Sequence, residues 1–186
     1  MPLPLATVAR TRVHTRRVSI QGWRREDGLW DIEARMTDLK DHDLPLASGL
    51  RRQGDALHDM WLRVTIDGRM QVHDVAASSD ATPYPGFCEA IVPAYRRLIG
   101  LNLFDGFRRS VREVLGSTSG CAHLTELCDV LPTAALQTLA SDTRDTEGQQ
   151  PGEQPFHLDR CHALATDSEA VRRYYPRWFR DSKTGT

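Results

Sequence analysis

The stretch LHDMWLRVTIDGRMQVHDV, Leu57 to Val75, decides the reading of the fold. Leu62, Val64 and Ile66 recur at every second position between polar residues, the period of a half-buried strand. A further strand, Met70 to Val75, follows at once, and the dipeptide between them, Asp67-Gly68, favours positive φ and hence a tight hairpin turn. The upstream sequence repeats the pattern. Thr11 to Ile20 alternates through Val13, Val18 and Ile20, and Leu29 to Met36 alternates as Trp30, Ile32, Ala34 and Met36. Lys40 to Asp55 is polar, with Pro45, Gly49 and Gly54, and reads as a long loop.

Beyond Ala77 to Gly86 the period changes from 2 to 3.6. Ile91, Tyr95, Leu98 and Ile99 fall at helical spacing, as do Phe107, Val111, Val114 and Leu115. A third helix starts near Cys121 and puts Leu124, Leu127, Cys128 and Leu131 on one face before meeting Pro132. A meander followed by helices is an α+β layout: an antiparallel N-terminal sheet with a C-terminal helical run packed on one of its faces. The expected organisation is a single domain over 1–186, with strands to about residue 80 and helices over 87–140. Residues 141–155, rich in Gly, Gln, Asp, Thr and Pro, read as a mobile loop, and 156–186 as a segment that docks on the body.

The chain has 186 residues, 40% hydrophobic and 26% charged, which is enough for one full-sized core. A formal net charge of −1 and a pI near 6.6 provide no global field for nucleic acid or for an anionic membrane. The first nine residues lack the basic start of an export signal, and no apolar run approaches a membrane span. These features point to the cytoplasm, where thiols stay reduced. Arg10, Arg12, Arg16, Arg17, Arg24 and Arg25 crowd the N-terminal end around His14 and read as a charged, solvated strand edge.

The chemistry is sought first in GSTSGCAHLTELC, Gly116 to Cys128. A small polar turn leads into Cys121 at a helix start, where free N–H groups stabilise a thiolate. Cys88 and Cys161-His162 also follow breaker-rich stretches, so Cys88, Cys121, His123, Cys161 and His162 form a candidate ligand set for zinc or an iron–sulfur centre. One alternative is an enzyme with Cys121 as nucleophile. His162 then serves as base, because residues two apart on a helix do not face each other. Another is a non-catalytic binding or accessory module with buried cysteines, its protein or small-molecule partner open. Cys128, two helical turns beyond Cys121, reads as core. His58 and Asp59, adjacent on a strand, point to opposite faces and form no dyad, so His58 reads as structural or loop-capping.

Several motifs together carry a family resemblance: Gly54-Asp55-Ala56-Leu57-His58-Asp59-Met60, Cys88 with Tyr95 and Leu98-Ile99-Gly100-Leu101, Gly120-Cys121-Ala122-His123-Leu124, and Cys161-His162-Ala163-Leu164 with Tyr175-Pro176. In this order they resemble the bacterial domain-of-unknown-function family numbered 2889, in which Ala122 is usually threonine. The resemblance implies a family with no established activity. The layout is also similar to that of iron–sulfur scaffold proteins, which carry three cysteines in loop-to-helix positions.

Overall fold

A computed structural model of the chain describes residues 3–140 and 152–181. Strands β1 (His14–Arg24), β2 (Trp30–Lys40), β5 (Ala56–Ile66) and β6 (Val72–Ala81) form an antiparallel sheet in the order β1-β2-β5-β6. The stretch read as a loop between β2 and β5 contains a small hairpin, β3 (Leu44–Leu46) paired with β4 (Gly49–Arg51). Strands of this length are too short to show a period of two, which is why the pattern missed them.

The turn after β5 also differs from its sequence reading. The residue in the left-handed region is Met70, at φ 67°, whereas Gly68 has no positive φ. Asp67 stabilises the turn through its side chain, which accepts the N–H groups of Arg69 (2.8 Å) and Gln71 (3.1 Å).

Alternation fixes which face of the sheet is covered. Ile32, Ala34 and Met36 of β2 and Met60, Leu62, Val64 and Ile66 of β5 are all buried. Each large side chain among them contributes about 1.5–3 kcal/mol by leaving water. The covering elements are a 3-10 segment (Glu89–Leu98), helix α1 (Phe107–Leu115) and helix α2 (Ala122–Leu139). Pro93 lies inside the first of these, which is a 3-10 rather than an α-helix. Tyr95 and Leu98, Phe107, Val111 and Leu115, and Leu124, Leu127, Cys128 and Leu131 are the buried faces of the three elements. α2 runs through Pro132 without interruption. The three helical stretches expected over 87–140 are thus one 3-10 segment and two α-helices, and the α+β layout is the one the change of period implied.

The chain divides into two compact units, 1–135 and 136–186, with the boundary in the last turns of α2. In the second unit the described residues include α3 (Glu169–Tyr174), capped by the Ser168 hydroxyl accepting the Val171 N–H. Single turns span His162–Leu164 and Pro176–Trp178. The segment read as a mobile loop lies mostly outside the described residues.

Candidate functional site

The apolar face of the sheet ends in a charge. Asp38 continues the inward phase of Ile32, Ala34 and Met36, and His58 continues that of Met60 and Leu62; the two are directly opposed across β2 and β5. Directly opposed residues share a face, so the carboxylate and the imidazole both point under the helices, at 2% and 7% exposure. A register shift between Asp38 and Leu39, which pairs with Ala56 and leaves Leu57 over, marks a bulge at this point.

A buried carboxylate must be paired and hydrogen-bonded, and Asp38 is fully engaged. Arg16, its partner on β1, donates Nε to Oδ1 and Nη2 to Oδ2, both at 2.8 Å. His14 Nε2 lies 2.8 Å from Oδ1 and His58 Nδ1 lies 2.9 Å from Oδ2. Burial pushes the Asp38 carboxyl up, but Arg16, His14 and His58 together hold it well below the usual carboxylate range. With Asp38 ionised, His58 Nδ1 is the donor. Burial, and then the proximity of His123, depress the His58 pKa against the pull of Asp38, so the neutral ring is favoured. Of the arginines read as a solvated edge, Arg16 therefore behaves differently, bridging Asp38 to Glu126 of α2 (2.6 Å), whereas Arg12 pairs with Asp41 at 2.7 Å and stays exposed.

α2 supplies the other half of the site. Its first hydrogen bond runs from the Thr125 N–H to the Cys121 carbonyl at 2.9 Å, which makes Cys121 the cap residue and not part of the helix. Gly120 is required before it, because a Cβ there would run into the Leu115 carbonyl oxygen. Tyr95, fully buried, accepts the Cys121 N–H at 3.0 Å, donates to the Cys121 carbonyl at 2.9 Å, and lies 2.8 Å from the Thr125 hydroxyl. Burial raises the Cys121 thiol, yet the His123 side chain and the N–H groups of Leu124 and His123 bring it below its ordinary value. The spacing argument that set His123 aside takes Cys121 as part of the helix, whereas α2 starts at Ala122.

His123 links the two halves. Its ring stacks on His58 with centroids 3.8 Å apart and planes 33° from parallel, and its Nε2 is 3.9 Å from Asp38 Oδ2. Cys121, His123 and Asp38 are of nucleophile, base and carboxylate type, but the 3.9 Å between His123 Nε2 and Asp38 Oδ2 is longer than a hydrogen bond, and the carboxylate is engaged by Arg16, His14 and His58.

Asp38, His58 and His123 are also of metal-ligand type, and one ligand atom from each lies within 4.8 Å of the others, the only such group of three or more among the described residues. Two features oppose convergence on an ion as the side chains stand. Imidazole lone pairs lie in the ring planes, so stacked rings send them side by side. Both oxygens of Asp38 are taken by Arg16.

Of the residues singled out in the sequence, this group contains His123 and not Cys88, Cys121, Cys161 or His162. Cys88 is half-buried ahead of the 3-10 segment, with its N–H donating to the Tyr84 carbonyl at 3.1 Å. Cys161 is exposed, and with His162 it belongs to the second unit. Cys128 is buried in the core as expected, and burial pushes its thiol up to about 12.

The signature of the family described as "Protein of unknown function (DUF2889)" matches residues 14–137, about two thirds of the chain and the whole of this site. The chain belongs to that family. No curated protein and no solved structure gives a significant match. No described helix is long and apolar enough to cross a membrane.

Proposed function

We propose that this member of the DUF2889 family works through Cys121 as a nucleophilic thiol, with His123 as the base that takes its proton. The observation that carries the reading is the place of Cys121 at the start of α2, two residues from His123, whose ring stacks on His58 of the buried Asp38–His58 pair; His123 also helps to hold the thiol below its ordinary value. The substrate class is an electrophilic carbon, and the reaction class is attack by sulfur on that carbon. The proton leaves sulfur for His123, the new bond is C–S, and the imidazolium gives the proton to the departing group. Asp38 stabilises the imidazolium while it exists, and His58, held by Asp38, fixes the ring it stacks against.

The test is the rate of iodoacetamide modification at Cys121, resolved by peptide mass spectrometry because Cys88 and Cys161 are also free thiols. His123→Ala should slow Cys121 at neutral pH by on the order of tenfold, the equivalent of one pKa unit. An unchanged rate would reject His123 as the base. Binding of zinc or an iron–sulfur centre by Cys88, Cys121, His123, Cys161 and His162 is a separate proposal, supported by residue type and decided by metal analysis of the purified protein.

A further inference from the structure

We infer that Tyr95 is the positioning residue of the Cys121 thiol: its hydroxyl sets the orientation of the Cys121 peptide and so the direction of the sulfur. The inference rests on the nucleophile reading above.

A buried tyrosine hydroxyl needs a partner, and one is enough to meet that need. The Tyr95 hydroxyl has three, and two of them are the N–H and the carbonyl of a single residue, the one that bears the thiol. The hydroxyl has one proton and two acceptors in reach, the Cys121 carbonyl and the Thr125 hydroxyl, and its oxygen accepts the Cys121 N–H in either case. A cap residue has non-helical backbone angles that helix hydrogen bonds do not fix. Here a side chain from the separate 3-10 segment Glu89–Leu98 does so. The backbone of the residue that bears the thiol is thereby held at both its N–H and its carbonyl.

Tyr95 itself is no proton donor to substrate. It is fully buried, and burial pushes its hydroxyl up to about 12. Its effect passes through the Cys121 backbone.

The experiment follows the pH dependence of iodoacetamide modification at Cys121 in the full chain, for the wild type, Tyr95→Phe and Thr125→Val, with thermal unfolding recorded on the same samples. Tyr95→Phe should raise the apparent pKa of Cys121 and slow its modification at pH 7 by on the order of tenfold, one pKa unit. Thr125→Val removes the hydrogen bond that helps to hold the Tyr95 hydroxyl against the Cys121 peptide, loosens both Tyr95–Cys121 bonds and should shift the profile in the same direction by less; it decides the matter if Tyr95→Phe does not fold. A folded Tyr95→Phe protein with lowered melting temperature but a superimposable pH profile would overturn the inference and leave the nucleophile reading standing. A wild-type Cys121 no more reactive than in unfolded protein would overturn both. An unshifted Thr125→Val profile in the absence of folded Tyr95→Phe would overturn the inference alone.

Discussion

Cys121 and Cys128 stand two helical turns apart on one stretch of chain, and the same helix moves their thiols in opposite directions. Burial raises both. At Cys121 a neighbouring imidazole and the unsatisfied N–H groups of a helix start outweigh it. At Cys128 nothing does: the first turn is behind it, its neighbours are Leu124, Leu127 and Leu131, and its sulfur reaches only the Leu124 carbonyl at 3.5 Å. Reactivity of a thiol is therefore a property of place along a helix and of what faces it, and residue type and burial alone do not supply it.

The largest expected effect falls on the polar end of the sheet. Asp38→Ala leaves Arg16 without its buried partner and frees His14 and His58, and should cost about 3–5 kcal/mol in urea unfolding. A loss below about 1 kcal/mol would show that the Asp38 network adds little to the stability of the fold.

Next comes the core cysteine. Cys128→Ser puts a hydroxyl into an apolar position and should cost about 1–3 kcal/mol while leaving the modification rate of Cys121 unchanged. A slowed Cys121 would mean that the two ends of the comparison are coupled.

Acid sharpens it further. The His58 pKa is depressed in the folded protein, so below the unfolded value of about 6.5 the unfolded chain binds the extra proton and stability falls. That loss is complete once pH has dropped through the folded value, and the contribution of Asp38 is lost separately below about 4. Thermal melts between pH 7 and pH 5 should show the first limb in the wild type and lack it in His58→Gln. The smallest effect is predicted for Cys121→Ser, because serine is a preferred cap residue: stability should change by less than about 1 kcal/mol while the reactive thiol is lost altogether.

The change of hydrophobic period made the sheet and the helical region legible, and the Gly-Ser turn before Cys121 made the start of α2 legible. Asp38 was not found, although it continues the phase of Ile32, Ala34 and Met36 by one more step; a carboxylate on the inward face was the signal available. His58 was measured against Asp59, its neighbour in sequence, and strand alternation correctly separates those two: Asp59 pairs with Arg35 at 2.7 Å. Its true partner lies across the sheet, where the bulge at Leu57 helps to set the register, and no sequence period reveals a register. Arg16 looked like one of six solvated arginines because its engagement depends on that same row, Arg16, Asp38, His58. Tyr95 showed only as an apolar position of a helix, since the reach of its hydroxyl to α2 is a fact of packing.

The central claim is tested most directly by the pH profile of alkylation at Cys121 and Cys128, read peptide by peptide in one native sample. The account predicts a Cys121 midpoint below the free-thiol value of about 8.5 and a Cys128 that stays unmodified until the protein unfolds. Profiles that coincide, or a Cys121 midpoint at or above that of a free thiol, would contradict it.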